Sequence, residues 1–139
     1  MSMDWAECRS KIIVKKVKPD KDMIDSLIKS SSNKIESEQM LKMNDITAAS
    51  KLSLAYDSLR ELLEALALKK GYKVYNHECY TAFLKEMLNE SMKGDEFDDI
   101  RKVRNAVNYY GKGISQKDAE MQIEKIRLLR KFVINLLGS

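Results

Sequence analysis

The spacing of apolar residues predicts a chain built almost entirely of helices. Apolar positions recur every three or four residues over most of the sequence, as along one face of a helix, and no stretch alternates apolar and polar residues as a half-buried strand does. Short connections favour antiparallel neighbours, so we expect an all-α fold, an up-and-down antiparallel bundle of five to six helices. The predicted helices span 3–16, 20–43, 46–70, 77–89, 95–111 and 116–137.

Four residues mark predicted helix ends. Pro19 disfavours helix in the residue before it, so it separates the first two helices. Asp20 can cap the second helix, and Ser115 opens a capping-box sequence before the last one. Gly71 is placed to end the third helix as a C-terminal cap.

The interiors of two helices carry further signals. The helix over 46–70 is apolar around most of its circumference near its C-terminal end, so it is central in the bundle or serves both a core and a partner surface. Residues 29–33, Lys-Ser-Ser-Ser-Asn, have weak helix propensity and predict a kink or break. We expect 71–76 and 91–94 to be connections.

Composition supports a helical protein without fixing its partners. The 139 residues include one proline and five glycines, and the net charge of +4 permits nucleic-acid binding without demanding it. No apolar run is long enough to cross a membrane, and the first residues do not resemble a signal peptide. Cys8 and Cys79 show neither a disulfide framework nor a metal-ligand spacing. We therefore expect a cytoplasmic protein without a membrane partner.

One helix concentrates polar groups that could bind an anion. A guanidinium is a planar fork of donors suited to phosphate or carboxylate, and two arginines of the helix over 95–111 share a face with amides. We predict a phosphate- or nucleic-acid-binding surface there. The alternative is that Arg104 merely pairs with a carboxylate between helices. On a helical projection, one arc of about 140° beside the apolar stripe holds Arg101, Arg104, Asn105, Asn108 and Tyr109, and the binding set is Arg101, Arg104 and Asn108.

The two tyrosines at the end of this helix differ in their expected roles. On a straight helix Tyr109 points about 140° away from Arg104, so the two can meet only if the helix ends early or a second subunit contributes. Tyr110 lies back on the apolar side, where we expect core.

Other chemistry has little support in the sequence. His77 is the only histidine, and at the start of a helix we expect it to orient a loop. The run His77-Glu78-Cys79 points three ways on a helix, whereas zinc needs about four converging ligands. No glycine-rich phosphate loop is present. We predict neither a metal nor a cofactor.

Three stretches of the chain resemble the HEPN domain family. They are the leucine-rich helix 55–72, the loop with Asn76-His77, and the segment 100–111. Members of that family are small antiparallel helical bundles, often dimeric. Many are metal-independent ribonucleases, and many are toxins paired with a minimal nucleotidyltransferase antitoxin. The resemblance implies that 1–139 is a single HEPN-like domain that forms a homodimer and has RNA or a nucleotide as its ligand. Dimers of that family bring two such helices together, so we expect Arg104 and Tyr109 to form a composite site between the subunits.

The family's motif is an arginine followed by a polar residue, with a histidine four to six residues further on. Arg104-Asn105 match its first part, but Tyr109, or Tyr110 in the longer spacing, stands where the family has histidine. A tyrosine ordinarily has a pKa near 10, against about 6.5 for histidine, so it is a poor general base at neutral pH. What survives of the motif is a basic, amide-rich pocket for phosphate or a nucleotide.

The resemblance thus implies two versions of the function. In the enzyme version, a weakened endoribonuclease, Arg104 steadies phosphate charge, Asn105 orients the ribose and Tyr109 donates or relays a proton. In the interaction version, the dimer has no chemistry and partners a nucleotidyltransferase. A third, structural version leaves Arg104 as a buried ion-pair partner only.

Overall fold

The computed structural model describes residues 3–138 and confirms the all-α prediction, with 73% helix, six α-helices and one small two-stranded sheet. A π-helical turn, Phe83–Met87, follows the fourth helix. In residues 3–138 no helix is both long enough and apolar enough to span a membrane. In chain order the elements are α1 (Trp5–Ser10), β1 (Val14–Lys16), α2 (Lys21–Met40), α3 (Ala48–Lys69), β2 (Tyr72–Val74), α4 (Glu78–Ala82), α5 (Ser91–Tyr109) and α6 (Gln116–Leu137).

Helix α3 is the centre of the core, as its wide apolar face predicts. It packs against α2, α5, α6 and β2. Its inward side chains are almost completely buried, so this face is used within the chain. Such burial of large aliphatic groups is worth about 1.5–3 kcal/mol each. The largest fully buried side chains of α3 are the aromatic Tyr56 and the aliphatic Leu52, Leu59, Leu62, Leu63 and Leu66.

The predicted caps are present. The Asp20 carboxylate accepts from the backbone N–H of Met23 at 3.2 Å, and Ser115 Oγ accepts from that of Asp118 at 3.0 Å. Gly71 follows α3 with a positive φ of 91°, the left-handed conformation that glycine adopts at low cost.

Helix α2 is continuous, so the predicted interruption at 29–33 is absent. Ser31, in that stretch, is completely buried. Its Oγ donates to the backbone carbonyl of Ser58 at 2.6 Å and accepts from Arg130 Nη1 at 2.7 Å. These contacts with α3 and α6 outweigh the weak helix propensity of the serines.

The predicted first helix, 3–16, is wrong over most of its length. Helix α1 ends at Ser10, and Ile12 has a positive φ of 58°. The chain then forms β1, which pairs antiparallel with β2 in the register Val14↔Val74. The strand β2 lies in the stretch expected to be a connection. Strands of three residues are too short to show a periodic pattern of their own, and their pairing depends on tertiary contact.

Cys8 and Cys79 form a disulfide that joins α1 to α4. The prediction that they had no disulfide role was wrong. The two residues are separated by 71 positions, and only the fold brings their Cα atoms to 6.1 Å. Both are completely buried.

Two further boundaries differ from the prediction. The helix expected over 77–89 is the short α4 followed by the π-helical turn. The stretch 91–94, expected to be a loop, is the first turn of α5. Gly94 is buried there because α5 lies close to the backbone carbonyl of Thr81.

Candidate functional site

The two halves of α5 have different surroundings. Phe97 and Ile100 are completely buried, and the Phe97 ring stacks on Tyr56 of α3 at 5.9 Å between centroids. Val103 and Val107, further along, are only partly buried. The C-terminal half of α5 therefore lies on the surface, with one side against α3.

Arg104 lies between two aromatic rings. Its Cζ is 4.8 Å from the centroid of Tyr56 and 5.5 Å from that of Tyr109. Nη1 donates to Asn105 Oδ1 at 3.2 Å and to the Tyr109 hydroxyl at 3.3 Å. Nη2 is 3.5 Å from Asp57 Oδ1, and the side chain is 12% exposed. Nε is buried and has no hydrogen-bond partner in the described chain.

Tyr109 is the last residue of α5, and it meets Arg104 within one chain although both residues are helical. The expected composite site between two subunits is therefore not needed for this contact. Tyr109 remains 68% exposed. Tyr110 is 79% exposed, so its predicted core position was wrong. It follows the last helical residue and no longer keeps the helical phase that the prediction assumed.

Asn108 lies on the other side of Arg104, where Ser53 Oγ donates to its Oδ1 at 2.9 Å. An open groove of about 630 Å³ runs between α3 and the end of α5. Arg104 and Asn108 therefore share a surface that a ligand can reach. The groove is lined by Ala49, Ser50, Ser53, Arg104, Val107, Asn108 and Tyr109.

Arg101 is turned away from this groove. Its Nε and Nη2 donate to Asp98 Oδ1 at 3.2 and 2.9 Å. Lys102 and Thr81 also contact that carboxylate, at 3.0 and 3.1 Å. Burial alone would raise the pKa of Asp98, but the hydrogen bonds from Arg101 and Lys102 outweigh it, and the pKa is lowered. Arg101 thus has a carboxylate partner already, and it does not line the groove.

Tyr56 and His77, which the sequence analysis did not assign to the site, lie next to Arg104 on the side away from the solvent. The Tyr56 hydroxyl is hydrogen-bonded to His77 Nδ1 at 3.2 Å, and Arg104 packs on the ring of the same tyrosine. Burial, and then the positive charges of Arg60, Arg104 and Arg101, lower the pKa of His77 to about 4. Burial also raises the pKa of Tyr56. Both groups are therefore neutral at pH 7.

For Tyr56 the sequence carried one weak signal of a role beyond packing. Tyr56 is an aromatic with a polar tip within an apolar stripe, and such a hydroxyl usually finds a partner when it is buried. Asp57, next to it, contributes the only carboxylate placed within 4.0 Å of Arg104 among the described residues. Neither Tyr56 nor Asp57 is near α5 in the sequence.

The arrangement around Arg104 suits an anion. Nη1 has two neutral acceptors at long hydrogen-bond distances. An anionic oxygen accepts such a bond roughly twice as strongly as a neutral one. A ligand in the groove would reach this edge of the guanidinium by displacing the hydroxyl of Tyr109, which is an exposed residue.

No protein-family model matches the chain, and neither a curated protein nor a solved structure matches it.

Proposed function

We propose that this protein is a HEPN-like RNA- or nucleotide-binding protein that holds a phosphate at Arg104. One observation carries the proposal. Arg104, Asn105 and Tyr109 meet around a single guanidinium at the wall of an open groove. Arg104 and Asn105 match the first part of the HEPN motif, and Tyr109 stands where that motif has its histidine.

The ligand phosphate takes the place of the Tyr109 hydroxyl at Arg104 Nη1. This exchange replaces a neutral acceptor by a charged one. The ring of Tyr56 holds the other face of the guanidinium, so little side-chain freedom is lost on binding. Asn108 and Ser53 supply neutral polar groups further along the groove.

The enzyme version of the proposal is a metal-independent endoribonuclease. Arg104 stabilises the charge on the phosphate, Asn105 orients the ribose, and Tyr109 donates or relays a proton. His77 is neutral, but it is bonded to Tyr56 beneath the guanidinium, which makes it a support for the site rather than its base.

The interaction version is favoured by a different observation. Large apolar side chains are exposed on the surface formed by the end of α5 and by α6, among them Tyr110, Met121 and Leu128. We propose that this surface forms the homodimer. In the non-catalytic alternative, the dimer partners a nucleotidyltransferase.

Arg104→Ala tests the binding site. We expect the affinity for a short single-stranded RNA, measured by fluorescence anisotropy, to fall about ten- to hundredfold, since a charged hydrogen-bonded contact is worth about 1.5–3 kcal/mol. Arg104→Lys keeps the charge but loses the fork, so its affinity should be intermediate.

Arg9→Ala is the matched control, because Arg9 is exposed on α1. It should bind RNA like the wild type. The structural version makes the opposite prediction for Arg104→Ala: a lower melting temperature with unchanged RNA affinity. That result would reject the binding site.

A further inference from the structure

We infer that the Cys8–Cys79 disulfide controls the Arg104 groove, with the groove competent for its ligand when the disulfide is formed and weakened when it is reduced. The inference rests on the proposed function for its ligand. It is based on the position of the disulfide: Cys79 is two residues from His77, and His77 is hydrogen-bonded to Tyr56, on whose ring Arg104 packs.

A continuous series of contacts joins the disulfide to the groove. Cys79 lies in the first turn of α4, two residues after His77. The His77 ring is bonded to the Tyr56 hydroxyl at 3.2 Å. Arg104 lies on the other part of Tyr56, with its Cζ 4.8 Å from the ring centroid. The first step runs along two residues of the backbone, and the two later steps are a hydrogen bond and a cation–π contact that involve the half-buried His77, the buried Tyr56 and the largely buried Arg104.

Reduction must displace Cys8, Cys79 or both. Two thiols cannot approach each other as closely as two bonded sulfurs, and both cysteines are completely buried. A close-packed interior has no free space to absorb that separation. The displacement falls on α1 and α4, which have six and five residues and are too short to be stable on their own. His77, immediately before α4, moves with it.

Apart from the disulfide, α1 is held by the Trp5 ring, which contacts Tyr72 and Phe83, and by a few hydrogen bonds, so a reductant reaches the sulfurs by local opening of α1. Most α1 side chains are exposed, and only Trp5 and Cys8 are buried. The Trp5 backbone N–H donates to Glu86 Oε2 at 2.6 Å, and β1 pairs with β2 over three residues. Local opening of so small a unit costs less than global unfolding.

The chemistry is a thiol–disulfide exchange. A small dithiol attacks one sulfur as its thiolate and forms a mixed disulfide, and the second thiol of the reagent then displaces the protein sulfur. Two electrons pass to the protein disulfide. The products are two protein thiols, which take up the two protons given by the reagent, and the cyclic disulfide of the reagent.

The test compares the oxidised full chain with the same protein treated with dithiothreitol. Alkylation of the released thiols and mass measurement report reduction, and circular dichroism reports the fold. We expect reduction to weaken binding of a short single-stranded RNA by at least about fivefold, the lower end of typical couplings between sites. Because His77 is the only histidine, the nuclear magnetic resonance signal of its Cε1–H should shift without ambiguity of assignment.

The double variant Cys8→Ala/Cys79→Ala is the matched control, and dithiothreitol should change neither its RNA affinity nor its His77 signal. Unchanged affinity in verified reduced, folded protein would overturn the inference and leave the proposed function standing. So would a disulfide that resists reduction in the folded state, or a reduced protein that unfolds.

Failure of the proposed function has a different signature. The oxidised protein would then bind no RNA, and the His77 signal alone decides the inference. A shift that the double variant lacks shows that the disulfide controls the residues beneath Arg104. The absence of a shift overturns the inference as well.

Discussion

Arg104 differs from an ordinary surface arginine in the way it is held. Two rings confine its guanidinium, and its hydrogen-bond acceptors at Nη1 are neutral. Its one carboxylate neighbour, Asp57, is at 3.5 Å and itself partly exposed. Arg104 thus pairs with Asp57 of α3 through Nη2, as the ion-pair alternative predicted. Its Nη1 has only neutral acceptors, and this edge of the guanidinium is the one suited to receive an anion from the groove.

Tyr109→His places a histidine next to Arg104, at the spacing of the HEPN motif that the proposed function invokes. An imidazole titrates near neutral pH and accepts a proton far more readily than a phenol does. If the site is otherwise intact, metal-free cleavage of RNA should appear or increase, as measured on labelled RNA in the presence of a chelator. Tyr109→Phe, the control, removes only a neutral hydrogen bond of about 1 kcal/mol and should affect binding little. No cleavage by Tyr109→His would count against the enzyme version.

The lowered pKa of His77 predicts a pH dependence of stability. Because the pKa is about 4 in the folded chain and about 6.5 ordinarily, the unfolded state binds more protons between these values. Stability is therefore lost as the pH falls from about 6.5 to 4. After allowance for solvent screening of this partly exposed ring, we expect a loss of about 1–2 kcal/mol.

His77→Gln isolates this effect. Glutamine stays neutral and can still bond the Tyr56 hydroxyl. Urea unfolding of both proteins across this range should show a wild-type stability that decreases relative to the variant as the pH falls. A difference that is constant with pH would contradict the buried, neutral state of His77.

The site was only partly predictable from its residues. Helical spacing placed Arg104, Asn108 and Tyr109 on α5, and the structure brings all three to one groove. The same spacing grouped Arg101 with them, but Arg101 pairs with Asp98 instead. Asp98 lies three residues earlier, a spacing at which side chains on a helix are neighbours. That pair was visible in the sequence. Tyr56 and His77 come from other elements, and their contacts with the site depend on the fold.

At the scale of elements, α5 depends on a glycine at its beginning. A Cβ on Gly94 would lie 2.2 Å from Lys85 Cγ and 3.1 Å from the carbonyl oxygen of Thr81. The missing side chain lets α5 approach α4 and the π-helical turn. Glycine has a low helix propensity, which explains why 91–94 resembled a loop in the sequence.

Gly94→Val should destabilise the protein by about 1–3 kcal/mol, the usual cost of overpacking. The side chain of Lys85 can move, but the backbone of Thr81 cannot move far. Gly113→Val is the control, since a Cβ there has nothing within 4 Å. Thermal unfolding of the two variants should separate them clearly, and equal melting temperatures would show that the α4–α5 contact is looser than the structure indicates.

Long helices were predictable and short elements were not. The helices α3 and α6 are close to the predicted 46–70 and 116–137, because many periods of apolar spacing and a cap define each one. The strands β1 and β2 pair residues that are more than fifty positions apart in sequence, and the disulfide joins residues that are 71 positions apart. Contacts of that kind leave no local pattern.

At the scale of the whole molecule, the structure changes which surface is the candidate for the homodimer contact. The wide apolar face of the helix over 46–70 suggested a partner surface, but α3 is covered within the chain by its neighbours. The remaining candidate surface is formed by α6 and the end of α5. On α6, Met121 and Leu128 are seven residues apart and therefore lie on one face, and both are exposed.

Charged substitutions on this face test the dimer. We expect the wild type to sediment at micromolar concentration with twice the 16.0 kDa mass of the chain. Met121→Arg and Leu128→Arg should each shift the protein towards the monomer, because a charged side chain placed in a dimer contact must be desolvated. Met40→Arg, at a still more exposed apolar position at the end of α2, should leave the mass unchanged. A wild type that remains a 16.0 kDa species would reject the homodimer. The Arg104 groove would stand unaffected, since Arg104, Asn105 and Tyr109 already meet within one chain.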